Sequence, residues 1–155
     1  MYNDIDTAIM KKLFLAFVLA LGFGAVASAG DTYAHDASVL PQSAQSTISA
    51  NFKSKVSVVK IEKDFGRVSE YEVTLSDGCE ISFDRHGNWK NVEVNAAKNV
   101  PAAIVPQGIK EYVSSKHAGQ RIVGIEKERN GYDIELSNGV DIKFNKEAQF
   151  VRYDD

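Results

Sequence analysis

A thirteen-residue stretch of this chain occurs twice. The sequence YEVTLSDGCEISF, residues 71–83, is matched by YDIELSNGVDIKF, residues 132–144, with six identical positions and four conservative exchanges. Average composition would give about one identity by chance. The chain therefore contains an internal duplication, and each copy must specify the same local structure.

Each copy predicts a β-hairpin with a three-residue loop. With residues 76–78 as the loop, Tyr71 lies opposite Phe83 and all the apolar side chains share one face. A two-residue loop would mix apolar and polar side chains on both faces. Glycine at the last loop position supplies the left-handed backbone that such a loop needs. Asp77 and Asn138, at the two hairpin tips, are interpreted as turn residues and not as contacts to a partner.

A second turn follows each hairpin, at residues 84–87 and 145–148. Gly87 ends the first of these turns, whereas Ala148 stands in its place in the second. Alanine resists the left-handed conformation. We therefore expect the second turn to be strained or differently shaped.

Each hairpin is preceded by a helix and a strand. Leu40-Pro41 and Val105-Pro106 open segments in which apolar residues recur about every four positions, as in a short amphipathic helix. A strand with alternating apolar residues comes next, and a last strand lies near Trp89 or Phe150. Trp89 is interpreted as a core residue, with an interface anchor as the alternative.

The predicted fold is therefore α+β, with two tandem units of one helix and a four-stranded antiparallel sheet. Each helix covers the apolar face of its sheet. Repeat 1 is predicted at residues 39–94, a linker at 95–104 and repeat 2 at 105–155.

Residues 1–29 predict a secretory signal peptide. Two lysines precede an apolar run from Leu13 to Val26, which is too short to span a bilayer, and an Ala-Ser-Ala cleavage site follows it. We therefore expect a periplasmic or secreted protein with no membrane anchor after cleavage. Residues 30–38 are small and polar and predict a flexible lead-in.

Composition narrows the classes of function. The net charge of −3 argues against nucleic acid as a partner. Cys79 is the single cysteine, so no intrachain disulfide can form, and its place in an apolar row predicts a buried thiol. The histidines, at positions 35, 86 and 117, lack metal-binding spacing, and no nucleophile or phosphate-loop motif is present. We expect no catalytic residue, no metal, no cofactor and no enzymatic activity.

The motif Tyr-x-Val-x-Leu-x-Asp-Gly-x-x-Ile-x-Phe-Asp-x-x-Gly-x-Trp at residues 71–89, after a helix opened by Leu-Pro, resembles the PepSY-like, β-lactamase-inhibitor-like family of exported bacterial proteins. The resemblance covers residues 40–94 and 105–154. It implies a tandem fold like that of the secreted β-lactamase inhibitor protein, in which two sheets lie side by side and form a concave surface open to a partner. The second copy departs from the motif at Asn145, Ala148 and Phe150.

The face of the sheet turned away from the helices is predicted to be open and acidic. Eight carboxylates oppose two lysines there: Glu62, Glu72, Glu80, Asp84, Glu126, Asp133, Glu135 and Asp141 against Lys60 and Lys143. Glu135 is expected opposite Asp141, a repulsive pair. Such a face is either a solvated surface, a contact for a protein or peptide, or a cation site.

We expect an exported binding module that contacts a protein or peptide of the cell envelope, for example as an inhibitor of an envelope enzyme. The predicted contact residues are Glu72, Glu80, Glu135 and Asp141. Electrostatic complementarity to a basic partner is their expected role. The alternative is a small-ligand or cation sensor that uses the same carboxylates.

Overall fold

The computed structural model describes residues 30–154, so the predicted signal peptide lies outside the described residues. The elements are β1 Thr32–Ala34, α1 Gln42–Asn51, β2 Val56–Asp64, β3 Arg67–Leu75, β4 Glu80–Asp84, β5 Trp89–Glu93, α2 Gln107–Lys116, β6 Ile122–Glu128, β7 Gly131–Leu136, β8 Asp141–Asn145 and β9 Phe150–Asp154. The α+β class is confirmed, and a helix followed by four strands occurs twice. No helix in this part of the chain is long and apolar enough to cross a membrane.

The nine strands form one antiparallel sheet in chain order. The halves are joined by the β5–β6 ladder, in which Val92 lies opposite Ile125 and Glu93 opposite Gly124. The separate sheets implied by the resemblance are thus a single sheet. The reason is that the last strand of the first half offers its free edge to the first strand of the second.

The segment at residues 30–38 differs from the expected flexible lead-in. Its residues Thr32–Ala34 form β1, which pairs with β2, so that Thr32 lies opposite Ile61 and Ala34 opposite Val59. The otherwise free edge of β2 supplies the backbone partners that a short polar segment needs to become a strand. The predicted linker at 95–104 is also packed, because Val100 and Ile104 are buried.

Both helices lie on one face of the sheet with the predicted apolar side inward. Ala44 and Ile48 of α1 and Ile109 and Val113 of α2 are buried in the common core. One row on this face runs across all nine strands, from Ala34 on β1 to the exposed Tyr153 on β9. Its members on β2 to β8 are buried: Val59, Val73, Ile81, Val92, Ile125, Ile134 and Ile142.

The three-residue hairpin loops are confirmed. Tyr71 pairs with Phe83 and Tyr132 with Phe144, so the apolar side chains share one face in both copies. The carboxylate of Asp77 accepts a hydrogen bond from the backbone N–H of Cys79, which is the turn role predicted for it. Asn138 does the same for Val140 in the second copy.

The second turn has the same shape in both halves. Ala148 has a φ of 60° where Gly87 has 84°, so the alanine is held in the left-handed region and not in a different turn. Asp84 accepts hydrogen bonds from the backbone of His86 and Asn88. Asn145 accepts the equivalent bonds from Glu147 and Gln149. These local bonds hold the strained alanine in place.

Candidate functional site

The face of the sheet opposite the helices carries a row of acidic side chains. Register places Glu80, Glu93, Gly124, Glu135, Asp141 and Asp154 side by side on β4 to β9. We call this set the acidic row. Like charges directly across a ladder destabilise it, and the acidic row contains three such pairs: Glu80–Glu93, Glu135–Asp141 and Asp141–Asp154.

A neighbouring row on the same face contains both signs of charge. The ammonium of Lys60 lies 3.2 Å from Glu72 and 2.5 Å from Glu62. At the other end, the ammonium of Lys143 lies 3.2 Å from Asp133 and 3.0 Å from Asp154. The two predicted lysines therefore compensate carboxylates near the two ends of the sheet.

The four predicted contact residues lie on this face in three environments. Glu135 and Asp141 are exposed and directly opposite each other. Glu72 is half-buried and paired with Lys60. Glu80 is only 8% exposed, contrary to the expectation of an open face. It lies between Thr74 and Glu93 near the middle of the first half, where side chains of adjacent strands surround it.

Glu80 is a strongly perturbed carboxylate of this face. Burial, reinforced by the negative charges of Glu93 and Glu72, raises the pKa of Glu80 to about 7. Its Oε2 atom is buried and has no hydrogen-bond partner among the described residues. A buried unsatisfied oxygen is costly and rare in folded proteins. This position therefore calls for a proton or a positively charged partner.

Glu93 belongs to this site although the strand pattern did not reveal it. A bulge separates the pair Phe83–Trp89 from Ser82–Asn91, so the side-chain alternation reverses after Trp89. The bulge turns Val92 into the core and Glu93 towards the acidic row. The sequence did contain a signal for this orientation, because the apolar Val92 and Val94 alternate with polar residues and place Glu93 on the opposite face.

Gly124 lies between Glu93 and Glu135 in the acidic row. A Cβ atom on Gly124 would lie 3.2 Å from the Cβ of Glu135 and 3.5 Å from its Oε2. The carboxylate of Glu135 therefore leans over the glycine, towards the strand that carries Glu93. Any side chain at position 124 would occupy this place.

A second group of carboxylates lies on the same face. Single oxygens of Glu126, Glu128 and Asp133 lie within 4.8 Å of one another. The ammonium of Lys143 already lies beside Asp133. This group therefore contains its own positive charge, unlike the pair Glu80–Glu93.

The remaining sequence candidates have structural roles. Cys79 is a buried free thiol, as predicted. Trp89 is half-buried against the core, as expected, and the ammonium of Lys127 lies 3.7 Å from the centre of its ring. Its counterpart Phe150 stacks on Tyr112 at a centroid distance of 4.9 Å and remains 39% exposed.

Known proteins share the sequence pattern of this chain. A family model described as "Putative beta-lactamase-inhibitor-like, PepSY-like" matches residues 30–76 and 69–152. The chain belongs to this family. The match spans both halves, which agrees with a tandem arrangement of PepSY-like units. No curated protein sequence matches this PepSY-like protein.

Solved structures similar to this PepSY-like protein come from Bacteroides. One, described as a "putative periplasmic protein of unknown function" from Bacteroides vulgatus, has 35% identity and a TM-score of 0.76, over 81% of this chain and 100% of that one. A "putative calcium-regulated periplasmic protein" from Bacteroides thetaiotaomicron has 32% identity and a TM-score of 0.74, over 81% and 97%. A further structure, described as a "putative periplasmic protein from DUF2874 family" of Bacteroides vulgatus, has 32% identity and a TM-score of 0.74, over 83% and 100%. None of these descriptions names an enzymatic activity.

Proposed function

We propose that this protein is an exported binding module that presents the acidic row to a basic protein or peptide in the cell envelope. The observation that carries the proposal is the exposed pair Glu135 and Asp141, two carboxylates that face each other across β7 and β8. A surface that concentrates exposed carboxylates is suited to a positively charged partner. Inhibition of an envelope enzyme is one form that such binding can take.

Location in the periplasm or outside the cell supports this function. The similar proteins from Bacteroides are described as periplasmic. The predicted signal peptide at residues 1–29 agrees with export. The partner is accordingly a component of the envelope, with neither nucleic acid nor a membrane surface required.

A pull-down from periplasmic extract tests the proposal. The double variant Glu135→Lys/Asp141→Lys reverses the exposed pair and should lose the partners captured by the natural protein. Glu147→Lys with Glu111→Lys is the matched control, because it changes the net charge equally at exposed positions outside the acidic row. If the partners of the reversed variant equal those of the natural protein, the acidic row is not the contact surface.

Cation sensing by the same face is a second candidate function. The observation that favours it is the buried, unpartnered Oε2 of Glu80 beside Glu93. One similar structure, at 32% identity, is described as calcium-regulated. Calorimetric titration with calcium separates this candidate from peptide binding, since a basic partner requires no metal ion.

A further inference from the structure

We propose that Glu80 and Glu93 form a binding site for a divalent cation, with calcium the best match, and that Glu135 lies at its border. The inference rests on the second candidate function and assigns it a place in the fold. The site lies on the helix-free face, where β4, β5 and β6 run side by side.

The site concentrates negative charge. Glu80 and Glu93 lie directly opposite each other on β4 and β5, so their carboxylates project from adjacent strands on one face. Neither forms an ion pair in the part of the chain that the structure describes, whereas nearby Glu72 is paired with Lys60. Two facing carboxylates without a cation would repel each other in a region shielded from water.

The site also contains an unsatisfied carboxylate oxygen. Glu80 is 92% buried, as its 8% exposure shows, and its Oε2 atom has no hydrogen-bond partner among residues 30–154. Glu93 is held in position, because its Oε1 accepts a hydrogen bond 3.1 Å long from the side-chain amide of Asn91. One oriented carboxylate and one unpartnered carboxylate together provide a preorganised pair of oxygen ligands.

A glycine lies beside Glu93 in the acidic row. Gly124 faces Glu93 across the β5–β6 ladder, and the side chain of Glu135 leans over it. A larger residue at position 124 would collide with Glu135. The glycine therefore lets a third carboxylate lie across β6, on the side of Glu93.

The chemistry of the site selects the ion. Carboxylate oxygens suit hard cations, and calcium accepts irregular geometry with water completing its roughly six to eight ligands. Magnesium demands near-octahedral geometry at shorter distances, which two side chains on adjacent strands are less suited to give. The hydroxyl-bearing Thr74, opposite Glu80 on β3, is a further oxygen at the edge of the site.

Thermal unfolding with and without calcium tests the site. In about 10 mM calcium chloride we expect the Tm of the natural protein to rise by about 3–6 °C, as for a ligand of submillimolar to millimolar affinity. Sodium chloride at equal ionic strength should not reproduce the rise. Calorimetric titration of calcium should give a Kd in the same range.

Three variants locate the ion. Glu80→Gln and Glu93→Gln should each lose at least about nine-tenths of the calcium affinity. Both keep the side-chain size, and Glu80→Gln also removes the buried charge, so both should fold. Glu126→Gln/Glu128→Gln is the matched control, because it removes two carboxylates from the other acidic group on this face. It should retain the calcium-dependent rise in Tm.

The outcomes separate the site from the function. No calcium effect on the natural protein, or an equal effect of sodium chloride, would overturn both the cation function and this site. A calcium effect that survives Glu80→Gln and Glu93→Gln but disappears in the control variant would place the ion at Glu126 and Glu128. Cation sensing would then stand, and the site proposed here would be wrong.

Discussion

The hydroxyl oxygen of Ser43 lies only 2.2 Å from the point where a Cβ atom on Gly87 would stand. The same hydroxyl donates a 2.7 Å hydrogen bond to the carbonyl of His86, which ties α1 to the β4–β5 turn. In the second half the glycine at this contact belongs to the helix and not to the turn. Ala148 stands in the turn, and a Cβ on Gly108 of α2 would lie 3.2 Å from that of Ala148. Each half thus keeps the helix close to the turn with one glycine at the contact.

Replacing the turn glycine should therefore be costly. We expect Gly87→Ala to lower the free energy of unfolding by about 3 kcal/mol, because the new methyl group meets Ser43 while the backbone has a φ of +84°. Gly78→Ala is the control, since Gly78 has a φ of +81° but no atom within 4 Å of the added Cβ. Its cost should be about 1 kcal/mol. Urea unfolding of both variants measures the difference.

The contact itself can be isolated with a double-mutant cycle. In a Ser43→Gly background, Gly87→Ala should cost at least about 1 kcal/mol less than in the natural protein. An unchanged cost would show that the hydroxyl does not oppose the methyl group, and that backbone strain and the contacts with Pro41 and Ala44 account for the loss.

Glu80 should make stability fall as pH rises. The folded-state pKa of Glu80 is raised to about 7, mainly by burial, above its ordinary value of 4.5. The folded protein therefore holds this proton more tightly than the unfolded chain. The resulting stabilisation is complete below pH 4.5 and is lost as pH rises to about 7. Between about pH 5 and 8, with a chelator present, we expect a loss on the order of 2 kcal/mol.

Substitution separates Glu80 from other titrating groups. Glu80→Gln is neutral at every pH and should flatten the decline measured by urea unfolding, with the gain in stability largest at pH 8. Glu147→Gln, at an exposed turn position, should keep the natural slope. An unaltered slope in Glu80→Gln would mean that this carboxyl does not titrate in the window.

Cys79 should be inert in the folded protein. It is 2% exposed, and burial raises the pKa of its thiol, as does the hydrogen bond to Asp77. The reactive thiolate is therefore scarce. A thiol reagent such as Ellman's reagent should label the protein only after denaturant is added. Rapid labelling of the native protein would show that the strand opens there.

The duplicated hairpin also identifies a tolerated replacement for this cysteine. Val140 holds the corresponding position in the second copy. Cys79→Val should change the free energy of unfolding by less than about 1.5 kcal/mol, because volume and polarity are similar. Cys79→Asp would bury a charge and should prevent stable folding. Thermal unfolding compares the two.

The two halves should unfold in one transition. Val92 and Ile125 are both buried and face each other where β5 meets β6. Ile125→Ala should cost about 2–5 kcal/mol. Fluorescence of Trp89, the single tryptophan, reports the first half, and far-ultraviolet circular dichroism reports both. We expect the two probes to give the same unfolding midpoint, and Ile125→Ala to lower both midpoints equally. A fluorescence midpoint of Trp89 that Ile125→Ala leaves unchanged would show that the halves unfold independently.

Local patterns predicted the hairpins but not the neighbours across the sheet. The alternation of apolar and polar residues predicted the pairing of Tyr71 with Phe83, because side chains alternate between the two faces of a strand until a bulge intervenes. One extra residue after Trp89 reverses that alternation and brings Glu93 beside Glu80. The burial of Glu80 depends on β5, whose register no short stretch determines. The acidic face was therefore predictable from the sequence, whereas the burial and raised pKa of Glu80 were not.

The agreement between strand order and chain order has a kinetic consequence. Every ladder joins strands that follow one another along the chain, so forming the sheet requires few distant encounters. Proteins whose pairings are local fold faster than those that must close long loops. A polypeptide delivered amino terminus first could add each strand to the growing edge as it emerges, without waiting for the rest of the molecule.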